Sequence, residues 1–163
     1  YERHSIYNTP PRGSMSARKQ VEWTRESLQA RVDRAPFNRW LGLDAVSWEH
    51  GGVELRLRTR PEIMGHVAIG ALHGGILASV LDTACSIAVV TATGESVFTV
   101  DMRVDYLRPA TAEVYTIRAR VVRLGRSLAT VDAEVEAADG QKVACGRAVL
   151  QNIAQMQAAS GST

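Results

Sequence analysis

The sequence predicts an α+β fold in which an antiparallel sheet curls round one long buried helix. Residues 73–92 are apolar on nearly every side of a helical wheel, which a helix tolerates only when protein surrounds it. Elsewhere the period drops to two: Val53, Leu55 and Leu57 alternate with Glu54, Arg56 and Arg58, and Phe98, Val100, Met102, Val104 and Tyr106 alternate with Thr99, Asp101, Arg103 and Asp105. That is the mark of half-buried strands. The order is helix, two strands, long helix, four strands, with short connections.

Each element has a local reason. Residues 16–33 hold good helix formers, with Val21, Leu28 and Val32 as a thin apolar stripe, and predict a surface helix. Pro36 starts a short helical turn through Phe37 and Trp40 that Gly42 ends. A strand over 43–49 reaches a hairpin turn at Gly51-Gly52. Residues 61–72, with Pro61, Gly65 and Gly70, predict an irregular connection, and Gly94 closes the long helix. The last four strands fall over 97–108, 112–124, 127–138 and 141–153, with turns at Pro109, Gly125 and Asp139-Gly140.

With 163 residues, 45% hydrophobic and 22% charged, the chain has the make-up of one globular domain. It buries about two-thirds of its unfolded surface without a staple. A formal charge of +2 is too small to argue for nucleic acid but suits a polyanionic ligand. Cys85 and Cys145 lie far apart with no CxxC or Cys/His cluster, which fits idle thiols in a reducing, cytoplasmic setting and no bound metal. No secretory signal opens the chain, and Asp82 near the middle of the long helix argues against a membrane span. Pro11-Arg12-Gly13-Ser14-Met15 has the look of a protease-tag remnant ahead of an initiator Met. The expected organisation is thus a remnant over 1–14, a helical extension over 15–35, the main domain over 36–153 and a frayed tail over 154–163.

Asp82 is the most informative residue. An isolated carboxylate on a buried helix costs on the order of several kcal/mol unless something compensates. It is either a structurally satisfied Asp or a functional one. Gly74-Gly75 lies where the helix begins, where unpaired N–H groups and the dipole favour negative charge. It is either a plain tight turn or the start of an oxyanion hole, and His73 either caps the helix or serves the site. His73 and Asp82 are nine positions apart, about 13 Å along a helix and on opposite sides of it. If both act on one substrate, the carboxylate must come from a second copy of the chain, giving a two-fold dimer with two composite sites.

Gly70-Ala71-Leu72-His73-Gly74-Gly75-Ile76, Val80-Leu81-Asp82 and Val97-Phe98-Thr99-Val100-Asp101-Met102 together resemble the PaaI-type hot-dog thioesterases. The likeness spans about residues 36–153, including Pro36-Phe37 through Leu41-Gly42 and Gly125-Arg126-Ser127-Leu128-Ala129. It implies a hot-dog fold and a homodimer, often paired into a tetramer, that hydrolyses acyl-CoA thioesters at the subunit interface. No separate cofactor is implied, since coenzyme A is part of the substrate. By the same resemblance Gly74 supplies the oxyanion N–H, His73 orients that loop, Asp82 is nucleophile or general base, and Thr99 helps hold the water. Many members carry an Asn six or seven residues before the HGG triplet; here His66 and Val67 stand there, and His66 is the candidate replacement. Gly75 would lie against substrate. Arg126 first, then Arg108 and Arg103, are the candidates for the phosphates of coenzyme A.

Three rival readings stand beside this one. Cys85 as a thiol nucleophile lacks a positioned His partner. A hot-dog dehydratase would carry a compact Asp/Asn-Pro-His signature that is missing here. A non-catalytic acyl-CoA-binding module of the same fold is the alternative from another class.

Overall fold

The computed structural model describes residues 21–153. The expected remnant over 1–14, the start of the expected helical extension and the expected tail over 154–163 lie outside the described residues. Thr24 opens the first helix, α1 (Arg25–Val32). Its hydroxyl accepts from the Ser27 N–H at 3.1 Å, and the Ser27 hydroxyl accepts from the Thr24 N–H at 2.9 Å. This reciprocal cap fixes the helix start. Residues 21–24 are not helical, so the expected helix over 16–33 does not include Val21, while Leu28 and Val32 are fully buried. The second helix, α2 (Pro36–Leu41), begins on its proline and stops at Gly42, whose φ of 70° suits glycine.

Strands β1 (Asp44–Glu49) and β2 (Gly52–Arg58) form the expected hairpin. The connection over 61–72 is more regular than its composition predicts. Short 3-10 turns flank β3 (Met64–His66), which pairs with β4 (Ala71–Leu72) as a small sheet of its own. The long helix, α3 (Gly74–Thr93), follows, then β5 (Val97–Tyr106), β6 (Val114–Leu124), β7 (Leu128–Ala137) and β8 (Lys142–Asn152). Six strands make one antiparallel sheet in the order β1-β2-β6-β7-β8-β5. The predicted α+β fold, a sheet wrapped on one central helix, is the fold found.

The core lies between α3 and the sheet. Leu77, Val80, Leu81, Ala84 and Ala88 pack with Leu55, Ile117, Val131, Val135 and Leu150, all of them buried. By length and composition α3 is apolar enough to cross a membrane, but two-thirds of its most apolar stretch is buried inside the protein. Its apolar character is therefore accounted for by the core. Gly146 of β8 sits close against its neighbour strand and under the helix: a Cβ there would meet the Arg103 carbonyl oxygen of β5 at 2.7 Å and Leu81 Cδ1 of α3 at 3.6 Å. The other face of the sheet is charged. Arg118 bridges Glu54 at 2.8 Å and Glu136 at 2.7 Å, and Arg147 pairs with Asp132 at 2.6 Å. Such exposed cross-strand pairs each contribute little to stability and give the face its solubility.

Strict alternation along β5 would put Thr99 on the same face as Asp101, Arg103 and Asp105. The pairing with β8 instead shifts by one residue between Thr99 and Asp101, leaving Val100 as a bulge. Thr99 stands opposite buried Leu150, and Met102 opposite buried Ala148, so both face the helix. Phe98 and Val100, expected on the apolar side, are exposed.

Candidate active site

The site is built from the N-terminal half of α3 and the strand beside it. His73 occupies the N-cap, and its Nδ1 accepts the Gly75 N–H at 2.9 Å. For Nδ1 to accept, the ring proton must sit on Nε2. The His73 carbonyl takes the Ile76 N–H at 2.9 Å. Among the described residues the Gly74 N–H makes no hydrogen bond, so the cap closes its neighbours and leaves this one donor free. Two further contacts hold the helix start. The Tyr106 hydroxyl donates to the Gly74 carbonyl at 3.1 Å. Gly65 packs so tightly on the cap that a Cβ would lie 2.6 Å from His73 Cα.

Asp82 is partly buried, and its Oδ1 accepts the Thr99 hydroxyl at 2.5 Å. The contact is at the short end for an O–H···O⁻ bond, and it exists because the β5 bulge turns Thr99 inward. Asp82 lies eight residues after Gly74, about 12 Å along the helix axis. The structure thus joins Thr99 to Asp82 and His73 to Gly74-Gly75, and keeps the two groups apart within one protomer.

Between them runs the least covered face of α3, carrying Gly75, Ser79, Asp82 and Ser86. Strand β5 borders this face through Thr99 and Tyr106. Helix α2 borders it on the other side, where Asn38 Oδ1 accepts the Thr83 hydroxyl at 3.1 Å and Asn38 Nδ2 donates to the Val32 carbonyl at 2.9 Å.

The other candidates are spread out. His66 is exposed on β3, opposite Ala71, and Val67 beside it is 84% exposed. Arg126 is exposed in the β6–β7 turn, and Arg108 donates to the Gln141 side chain. Arg103 stands on the sheet face away from α3, 3.1 Å from Asp105. That outer face also holds a concavity of about 970 Å³, lined by charged, small and apolar strand residues and without Asp82, His73 or Gly74. Among the described residues no group of metal-binding side chains comes together.

Cys85 is buried, and burial, followed by the Asp82 and Asp132 carboxylates, pushes its thiol up to about 12. A thiol held protonated in this way is not a nucleophile. Two residues escape the sequence reading. Tyr106 could have been found from its place in the Met102, Val104, Tyr106 alternation that faces the helix; Asn38 gives no sequence signal beyond its position in α2.

Comparison with known proteins bears on this arrangement. The family model described as the thioesterase superfamily matches residues 69–144. The medium/long-chain acyl-CoA thioesterase YigI of Escherichia coli (strain K12) is 33% identical over 119 residues, which cover 64% of this chain and 77% of that protein. Human acyl-coenzyme A thioesterase 13 is 33% identical over 127 residues, covering 76% of this chain and 89% of its own length. Among solved structures, the E. coli PaaI protein from the phenylacetic acid degradation operon superposes with a TM-score of 0.70 at 25% identity, over 76% of this chain and 88% of its own. A thioesterase family protein from Silicibacter pomeroyi gives 0.69 at 31% identity, over 77% and 94%. With the sheet order, the central helix and these relatives together, the chain belongs to the thioesterase superfamily, as a thioester hydrolase of the PaaI-type hot-dog branch.

Proposed function

We propose that the protein hydrolyses acyl-CoA thioesters at two composite sites, each formed by Gly74 of one copy and Asp82 of another. The free Gly74 N–H at the start of α3 carries this reading, because an unbonded N–H at a helix N-terminus is suited to a developing oxyanion. Asp82 lies about 12 Å from it along the same helix, too far to act on the same carbonyl carbon. A second copy removes that mismatch. The free edge of β5 supports such a pairing: the sheet ends there, and Phe98, Val100, Tyr106 and Leu107 are 37–55% exposed along it. The names of YigI and human acyl-coenzyme A thioesterase 13 point to an acyl-CoA substrate, and that of YigI to medium or long chains.

In the favoured route Asp82 takes a proton from water as the water oxygen bonds to the thioester carbon. The carbonyl π electrons move onto oxygen, which the Gly74 N–H of the other copy holds. Collapse of this intermediate breaks the C–S bond, and the proton passes from Asp82 to the coenzyme A sulfur, leaving free acid and thiol. Thr99 supports the base by fixing Oδ1, which leaves Oδ2 to meet the water. Direct attack by Asp82, through an anhydride that water then opens, uses the same residues. His73 keeps the amides in place, Gly75 lines the substrate, and His66 stands in for the upstream Asn as a contact to the thioester oxygen. Arg126 and Arg108 are the exposed cations for the phosphates of coenzyme A; Arg103, on the far sheet face, is the weaker candidate.

Thiol release from acyl-CoA measures the proposal directly. Asp82→Asn is expected to lower kcat about 100-fold or more with fold and assembly unchanged. Thr99→Ala is expected to give a smaller loss. Near-wild-type turnover by Asp82→Asn would sink the assignment.

A further inference from the structure

A hydrolytic site needs a surface that receives the acyl group, and Asp82 and Gly74 do not supply one. On α2, Phe37 and Trp40 lie one turn apart and are 48% and 50% exposed. Two large aromatic side chains half in solvent, on a helix of six residues, call for an explanation. They are not loose. Their rings stack with centroids 5.8 Å apart and planes at 27°. The Arg60 guanidinium lies 5.0 Å over the Trp40 ring and donates to the Leu41 carbonyl at 2.7 Å and to the Trp40 carbonyl. The pair is therefore preorganised, with little side-chain freedom left to lose on binding.

Its position follows from two anchors. Asn38, between the two aromatics in sequence, bonds to Thr83, the residue after Asp82 on α3. Arg60, which covers Trp40, opens the 3-10 turn whose Ile63 carbonyl accepts the His73 N–H at 3.0 Å. Helix α2 thus runs beside the N-terminal half of α3, from the Asp82 level toward the His73 end. The residues along that face of α3, Gly75, Ser79 and Ser86, are small, Gly75 exposed and the two serines partly buried.

We propose that Phe37 and Trp40 form the acyl-side wall of the site and select acyl groups long or broad enough to reach them. This inference rests on the acyl-CoA hydrolase reading above. The ligand part in question is an apolar acyl chain or aryl ring, and the wall discriminates by contact area and not by any hydrogen bond.

The test is thiol release by the intact, purified protein against acetyl-, hexanoyl- and dodecanoyl-CoA. In the Phe37→Ala/Trp40→Ala variant, kcat/KM for dodecanoyl-CoA is expected to fall about tenfold or more, mainly through KM. The value for acetyl-CoA is expected to stay within about twofold of wild type. The milder Trp40→Leu variant keeps an apolar side chain and covers the case in which the double variant does not fold; it is expected to lose less, with the same dependence on chain length. An equal loss across the series overturns the proposal, as does no loss at all. Equal loss together with dissociation on size exclusion also overturns it, and assigns the aromatics to a subunit contact. A wild-type protein that turns over but shows a flat response in both variants removes only the wall. A wild-type protein that releases no thiol removes the hydrolase reading as well.

Discussion

At the scale of single residues, the site depends on which hydrogen bonds are already made. Gly75 N–H is occupied by His73 Nδ1, whereas the Gly74 N–H is not. That difference can be tested by replacing one atom group. Proline is tolerated at the first position of a helix and lacks the N–H. His73 already has φ −66° and ψ 134°, the extended conformation that a residue before proline prefers. The nearest atoms that a Cβ at position 74 would meet across the fold belong to Tyr106, at 3.4 Å, an ordinary contact. Gly74→Pro is therefore expected to keep the helix, by circular dichroism, and to lower kcat about 100- to 1000-fold, as loss of one oxyanion donor does. Unchanged kcat would remove Gly74 from the mechanism. Asp82, His73 and Gly74 could be named from sequence because each is chemically out of place in an apolar run. Tyr106 has only its place in the β5 alternation to mark it, since its role is a single bond to a backbone carbonyl.

Elements were legible where periodicity is strong. The six long strands and α3 follow from period two and from an apolar run bounded by His73 and Gly94. Two features left no such trace. The Thr24–Ser27 cap sets the start of α1 through a local bond geometry that competes with the helix-forming residues before it. The β5 bulge is a one-residue slip in pairing, and in sequence it reads as unbroken alternation. The slip decides whether the Thr99 hydroxyl meets Asp82, so the part of the site that was hardest to foresee is a matter of register. The β3–β4 segment has a comparable part in holding the cap. Because a Cβ on Gly65 would sit 2.6 Å from His73 Cα, Gly65→Ala must displace the backbone of the cap. The expected outcome is a drop in kcat of about tenfold or more with a modest fall in melting temperature. A variant with wild-type kcat would show that the cap is not held from this side.

For the molecule as a whole, the decisive fact is that α3 carries both Gly74 and Asp82 and separates them. Mixing the Gly74→Pro and Asp82→Asn variants tests what this means. On the proposed arrangement neither homodimer holds a complete site, but each mixed dimer holds one, from Gly74 of one chain and Asp82 of the other. After unfolding and refolding in equal amounts, about a quarter of wild-type activity is expected, since half the dimers are mixed and each has one of two sites intact. If each chain held its own site, the mixture would recover nothing. Fold class and family were readable from sequence because both rest on pattern spread over the whole chain, whereas a second copy is argued for only by the spacing of His73 and Asp82, and no stretch of sequence says which surfaces would pair. The separation along α3 also ties chemistry to mass action. A site shared between chains vanishes when the chains part, so specific activity falls on dilution below the dissociation constant and substrate that bridges two copies holds them together.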